Sequence, residues 1–522
     1  MGLPRPNLAQ IAQQPTTGQI AQSVRVPASV GGWNQYDSIA AMAPEYALTL
    51  DNVFPSVRQC TVRPGYTVWG TGLGTGAVET LMQWGGPSSD KLLAAANGNI
   101  YNVSTAGAGV SLGSGYTNNR WQHTNMGTAG GHFVIAVNGA DTPINYNGTA
   151  IATTPAITGV TATGLIHVWQ FQNRLFFLQK NSLVFAYLPV NVIGGAALTF
   201  DLSALFEFGG YLICAQTWSR AGLTDQEDLC VFLTSEGEFA VYAGTDPGDA
   251  TKWALQNRGR IGAPPTLGTR SMEKIGSDLY IVCQDGLVAL SQVLWLDRVD
   301  TSKTISQKIG TAVNDAVAAY SANFGFEIFL YPKGNMVMVN VPALVNKTMY
   351  QYVANTATGA WCRFTGLNAN CWQLFNNSPY FGGVDGKVYK WDSGSADNGA
   401  LINWEIRSAF VNMGEDGQNK LWTLVRPIFE SNGPVSFNYR IEVDYSISNL
   451  TQPSGSSSAN DSRWDTALWD TAPWDDSQQI VTVWLGANAL GRVCDIHMRG
   501  ASMNQDIAWI ATDFTFYQGG LI

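Results

Sequence analysis

Seven times along this chain an apolar strand leads into a tight turn built on glycine or asparagine, and a second strand with an aromatic or apolar anchor follows. The copies run from Lys91 to Val103, His132 to Tyr146, Asn173 to Pro189, Asp228 to Gly244, Ser277 to Gln292, Tyr350 to Phe364 and Ser378 to Asp392. Their turn residues are Gly98, Gly139, Asn181, Gly237, Gly286, Gly359 and Gly386, which stand about 48 residues apart on average. That is the period of a β-propeller blade. A lone hairpin of this kind cannot bury both faces, so the copies must stack on one another. Radial stacking also leaves only short, protected strand edges. The expected class is all-β: a propeller of about six to eight blades, followed by a second β-domain.

Composition supports many short strands over solvated helices. Only 13% of residues are charged, while glycine contributes 55, tryptophan 18, tyrosine 19 and phenylalanine 22 of the 522 residues. Such a low charge predicts that neighbouring subunits cover part of the surface, because interfaces are depleted of Lys and Glu. The formal net charge is −10 and no Lys/Arg-rich run occurs, which argues against a tight, sequence-reading nucleic-acid site. The seven cysteines are scattered inside apolar strands with no CxxC or Cys/His cluster. They read as small buried hydrophobes of a reducing compartment. Residues Met1 to Pro6 contain no apolar secretory core, and no apolar run approaches the length of a membrane span. Synthesis in a cytoplasm, with no membrane anchor, is the expectation.

Three regions are expected. Residues 1–32, rich in Gln, Ala, Pro, Thr and Ser, form an extended arm. Residues 33–400 form the propeller, interrupted by a helix between Thr304 and Tyr320. There Ile305, Ile309, Ala312, Val313, Ala316 and Val317 fall at helical spacing, with Thr304 as the N-cap. Residues 401–522 form an antiparallel β-sandwich, a platform-type domain. It carries a loop in which Trp-Asp recurs every five residues, at Trp464, Trp469 and Trp474. Those three tryptophans are the candidate interface residues, since indoles supply large, rigid contact area. A Trp-rich cover over the sandwich's own edge is the alternative.

Signals for chemistry are weak. The four histidines, His123, His132, His167 and His497, have no metal-ligand spacing, and no GxSxG elbow, P-loop or HExxH occurs. Asp225, Glu227, Asp228, Glu236 and Glu238 flank one blade turn and could supply a glycosidase pair, although carboxylates belong in turns for structural reasons too. No catalytic residue, cofactor or metal is assigned, and no enzyme activity is expected.

Several short phrases occur in an order that points to a family. They are Asp51 to Pro55, Arg63-Pro64-Gly65-Tyr66, Ala136 to Pro143, Asn173 to Phe177, Phe185 to Val190 with Gly194-Gly195, Thr234 to Glu238, Tyr242 to Pro247, and Thr358 to Thr365. With the closing Trp-Asp repeats and Phe516 to Gly520, they resemble proteins of bacteriophage and prophage tail modules. Within these the chain is similar to the nozzle, or tail-hub, proteins of short-tailed (podovirus-type) phages. The resemblance implies a β-propeller with an additional β-domain, six copies of which form a ring beneath the portal and adaptor of the head–tail connector. The ring surrounds the DNA exit channel, retains the packaged genome and conducts it at ejection. Tail fibres or spikes attach at its flanks, and genomic DNA passes without sequence-specific binding. No catalytic residues come with the family.

The expected function is thus that of a structural virion protein of the tail, assembled in the host bacterial cytoplasm. Its acidity suits the wall of a passage that DNA must not adhere to. Two other readings remain open: a receptor-binding or fibre-attachment propeller of the tail, and a propeller glycoside hydrolase.

Overall fold

In the computed structural model, the described residues are 21–221, 226–293, 299, 304–414, 417–454, 456–457 and 478–519. The protein is all-β, with seven blades arranged as a closed ring. The innermost strands are Val78–Trp84, Gln122–Thr128, Leu165–Phe171, Leu212–Ala221, Met272–Ile275, Glu327–Tyr331 and Cys371–Phe375. Each lies against the next, and the last returns to the first. The seventh blade is shared between distant parts of the chain. Its strands Cys371–Phe375, Ser378–Gly382 and Val388–Trp391 are completed by Tyr66–Thr71, with Trp391 paired to Tyr66. The strand that enters the ring therefore also fastens it.

The turn residues read from sequence have a common conformational reason. All seven adopt positive φ, from +54° at Asn181 to +112° at Gly286, a region open at low cost to Gly and Asn. Six of them connect the second and third strands of a blade. Gly359 is the exception: it joins the third and fourth strands of blade 6, between Thr348–Asn355 and Trp361–Thr365. The corresponding turn there contains Asn346, at φ +56°.

Blades adhere through aromatic faces. Between blades 3 and 4, Phe185 stacks on Phe232 at 4.6 Å, Trp169 meets Phe232 edge-on, and Trp253, itself stacked on Tyr242 within blade 4, lies edge-on to Phe171 of blade 3 at 5.9 Å. All six are at least nine-tenths buried, so each blade face is covered by its neighbour. The expected helix is present as Gly310–Tyr320, with Ala312, Val313, Ala316 and Val317 buried against blades 5 and 6. It starts later than Thr304, after a 3-10 turn at Gln307–Ile309. The Ser306 hydroxyl preceding that turn accepts the Leu287 N–H at 2.8 Å, which holds residues 304–306 against blade 5 rather than in a helical cap.

The second unit is a two-sheet β-structure assembled from both ends of the chain. One sheet pairs Lys420–Ser431 with Ile507–Gln518 over their full lengths and adds Gln479–Thr482 and Leu485–Gly491. It also takes in Gln22–Pro27, Val53–Pro55 and Cys60–Val62. The other sheet combines Ile402–Ser408, Cys494–Met503 and Phe437–Val443 with Gly32–Trp33 and Tyr46–Asp51. Trp404 and Phe437 from one sheet meet Phe429 from the other in the core between them. The sheets thus do not divide at the boundaries expected from sequence. Residues 33–62, assigned there to the propeller, hydrogen-bond with residues 402–518, and Gln22–Pro27 of the expected arm is a paired strand. The partner of 46–51 lies about 350 residues away.

The second sheet is continuous with blade 6, because Gly32–Trp33 and Tyr46–Asp51 pair in parallel with that blade's outer strand, Trp361–Thr365. Gly32 has φ +85°, and a Cβ there would lie 2.5 Å from the Trp361 carbonyl oxygen. Only glycine permits that approach.

Two crossings join the units, at residues 63–65 and 392–401, and one residue clasps both. Arg63, 1% exposed, donates to both carboxylate oxygens of Asp397 at 2.8 and 2.6 Å. Its Nε donates to Asn52 Oδ1 at 2.8 Å. Asn52 in turn donates to the Asn403 carbonyl oxygen at 2.7 Å.

Candidate functional site

The ring encloses a chamber of about 380 Å³ on its axis, lined by residues from the innermost strands of all seven blades. It joins a vestibule of about 270 Å³ at the face carrying the Gly139 and Asn181 turns, and Gln122 and Thr269 line both spaces.

Arg270, just before the innermost strand of blade 5, reaches across the axis. Its Nη2 donates to Thr80 Oγ1 of blade 1 at 2.8 Å and to the Trp121 carbonyl at 2.9 Å. Glu327 of blade 6 lies 3.9 Å from Arg270 and accepts the Trp372 N–H at 3.0 Å. Beside them Phe324 is sandwiched between the guanidiniums of Arg120, at 4.8 Å, and Arg270, at 5.2 Å. Arg120 pairs with Glu79 at 3.1 Å. These contacts close the axis to anything of polymer width. The propeller channel of a single copy is a chamber and not a conduit.

Burial dominates the chamber's electrostatics. Glu273 is pushed up to about 7 by burial and by the nearby Glu327 carboxylate. Burial also lifts Glu327 to about 7, against the opposing pull of Arg270. Burial, with Arg270 adding to it, takes His123 down to about 3, and burial takes His167 down to about 4. The chamber is thus furnished with neutral imidazoles and with carboxyls that hold a proton near neutrality.

Of the residues singled out from sequence, His123 and His167 meet in the chamber, and the others are dispersed. Trp464, Trp469 and Trp474 lie outside the described residues, as does Asp225. Glu238 accepts the N–H groups of Glu207 and Phe208 at 2.9 and 3.0 Å, a loop-holding role. Glu236 is in the turn and Asp228 on the second strand of blade 4, and the side chain of Glu227 lies outside the described residues. His497 is in the sandwich, between Arg407 at 2.9 Å and Glu405 at 2.9 Å. The seven cysteines are all free and buried, and burial pushes thiols such as Cys214 up to about 12, so they are inert. Among the described residues no His/Cys/Asp/Glu group could hold a metal, and no helix is long and apolar enough to cross a membrane. Sequence reasoning missed Arg270, Glu273 and Glu327. Only Glu327 carries a signal, as a charged residue opening an otherwise apolar strand.

A second surface stands out on the outer face of the sandwich. Leu490 lies directly opposite Leu421, which lies opposite Tyr517. Leu490 is 61% exposed, Leu421 42%, Leu424 41% and Trp484 46%. The Trp484 ring carries the Arg426 guanidinium at 4.6 Å.

The chain matches no protein-family model and no curated protein. Among solved structures it is similar to two β-propeller proteins, BamB from Moraxella catarrhalis and YCF48 from Cyanidioschyzon merolae. The BamB match has 11% identity and a TM-score of 0.33 over 72% of this chain and 96% of the other. The YCF48 match has 13% identity and a TM-score of 0.33 over 65% and 97%. A third, BBS1N in complex with ARL6DN, matches at 12% identity and a TM-score of 0.26 over 41% of this chain. The match spans 61% of that BBS1N chain, under two thirds of its length. At such scores these likenesses carry no argument about activity.

Proposed function

We propose that this protein is a structural subunit of a short-tailed phage tail, the nozzle or hub that retains packaged DNA and conducts it at ejection. The observation that carries the reading is the continuous apolar row Leu490–Leu421–Tyr517, flanked by Leu424 and Trp484, on an outer β-face. Contiguous exposed apolar groups on a chain with 13% charged residues suit a permanent contact with another subunit. The ordered phrases from Asp51 to Gly520 that resemble nozzle proteins support the same reading. Since the axis of one copy is closed by Arg270 and Phe324, the DNA passage in this reading lies between copies. Portal and adaptor proteins cover one end of the ring, fibres or spikes its flanks, and the net charge of −10 per copy keeps DNA from adhering.

Reconstruction of the intact particle tests the proposal. Six central copies beneath the adaptor are expected. Peripheral trimers would replace it with a receptor-binding or fibre-attachment role, and absence from the particle would remove the virion assignment. Turnover of surface polysaccharide by the purified protein, lost on replacing Glu273 or Glu327, would instead favour a hydrolase.

A further inference from the structure

One face of the sandwich's second sheet is ionic, and a short strap lies across it. Along Ile402–Ser408, Phe437–Val443 and Cys494–Met503, the side chains of Trp404, Ile406, Ile441, Ile496 and Met498 enter the core. The alternate side chains share the opposite face: Glu405, Arg407, Arg440, Glu442, Asp495, His497 and Arg499. Arg407 stands opposite His497, which stands opposite Arg440, and Glu405 stands opposite Arg499. Asp51, paired with Arg363 at 2.6 Å, lies beyond Glu405 on the next strand. Asp444 accepts the Arg492 N–H at 2.8 Å, at the edge of the face.

Residues 446–452 cross this face, and charged groups hold them there. Glu442 Oε1 accepts the Ser448 N–H at 2.7 Å and the Ser448 hydroxyl at 2.6 Å. Arg407 and Arg499 donate to the carbonyls of Ser448 and Leu450 at 2.5 and 2.8 Å, and Arg440 donates to Ser448 Oγ at 2.5 Å. Two neutral amides, Asn438 and Gln452, add bonds toward residue 452. No apolar side chain of the strap is buried, and Ile447 is 50% exposed. The strap therefore rests on charge-assisted hydrogen bonds and not on hydrophobic burial.

His497, 1% exposed, sits under the centre of that hold. Arginine can only donate, so the contact of Arg407 Nη2 with His497 Nδ1 at 2.9 Å requires Nδ1 to carry no proton. The ring proton is then on Nε2, which donates to Glu405 Oε1 at 2.9 Å. A second proton on the ring makes Nδ1 a donor too. Arg407 then loses an acceptor and faces a buried cation. Glu442 Oε1, the oxygen that holds Ser448, lies 3.8 Å from Nδ1 and is drawn toward the charged ring. Opposite Glu442, burial and that carboxylate push the Asp495 carboxyl well above its ordinary range, so Asp495 is no substitute anion. We infer that residues 446–452 are an acid-released strap, freed when His497 takes up a proton, and that release uncovers the guanidiniums of Arg407, Arg440 and Arg499. The inference is independent of the assembly proposal, which the particle reconstruction decides.

Hydrogen exchange on the full chain, read as protection factors, tests it between about pH 8 and about pH 5, the interval in which histidine ordinarily changes charge. Protection of the strap amides, Ser448 above all, should fall roughly tenfold or more on acidification while that of Cys494–Met503 holds. In His497→Gln the fall should vanish, because a Gln carbonyl can accept from Arg407 and its amide can donate to Glu405 without titrating. If that variant does not fold, an NMR titration of the histidine rings in the unaltered chain decides: His497 should charge over the interval in which the strap opens. Strap protection equal at both pH values overturns the inference, as does a His497 ring that stays neutral while the strap opens. A fall retained in folded His497→Gln overturns it too and assigns the release to the carboxylates.

Discussion

The propeller and the sandwich solve one problem in opposite ways. Except at blade 7, where the ring closes on Tyr66–Thr71 and on blade 1, the blades find their partners within a few dozen residues, and Phe185 on Phe232 shows how a face is covered by the next copy. The sandwich is built from strands hundreds of residues apart, with Gln22–Pro27 on Ile507–Gln518 and Tyr46–Asp51 on Ile402–Ser408. A repeat advertises its fold, because each unit states the same local rule. A sheet closed by both chain ends states its rule only once the pairing is known.

The largest expected effects break the two regions in distinct ways. Phe232→Ala should cost about 3–5 kcal/mol by emptying an interblade contact, with no second-site rescue. Arg63→Ala should cost a similar ~3–5 kcal/mol because it strands the Asp397 carboxylate, 9% exposed, at the crossings. Arg63→Met with Asp397→Leu should recover most of that loss, since no lone charge remains. Urea denaturation of all three proteins checks this, and a double variant no better than Arg63→Ala would show that the clasp acts by shape rather than charge.

A medium effect separates the axis of the ring from the rest. The folded Glu273 and Glu327 carboxyls keep their protons to about pH 7, against an ordinary value of 4.5. Their contribution to stability is therefore full below about pH 4.5 and is lost as pH rises through about 7. His123 and His167 run the other way. Their stabilisation is present above about 6.5 and is lost as pH falls toward 4 and 3. Glu273→Gln should therefore stabilise the protein by about 1–3 kcal/mol near pH 8 and by almost nothing near pH 4.5. Thermal unfolding at the two pH values measures it, and an equal shift at both would contradict the assignment.

The smallest expected effect on stability falls on the sandwich face. Leu490→Ser, at a site 61% exposed, should move the unfolding free energy of the isolated chain by under about 0.5 kcal/mol. Self-association followed by sedimentation should nevertheless weaken, if that face contacts another subunit.

The legibility of the sequence follows the same division. Six of the seven turn residues marked their blade turns because a positive φ restricts the residue to Gly or Asn. Gly359 misled for that very reason, since the turn after the third strand of blade 6 makes the same demand. The helix was legible from Ala312, Val313, Ala316 and Val317, while its start depended on the Ser306 contact with Leu287. The axial chamber was almost illegible. Arg270, Glu273 and Glu327 become neighbours only when blade 5 meets blade 6 and Arg270 spans to Thr80. Asn52 and Arg63 stood in the phrases that resemble nozzle proteins, but their role as a clasp needed Asp397, more than 300 residues on.

The sharpest test is whether residues 401–522 fold without the rest of the chain. Because the strands Gln22–Pro27, Tyr46–Asp51, Val53–Pro55 and Cys60–Val62 complete both of its sheets, the isolated fragment should lack protected amides in hydrogen exchange and should unfold without a cooperative transition. Cooperative unfolding of 401–522 alone, with amide protection equal to that in the full chain, would contradict the claim that the sandwich is built from both ends.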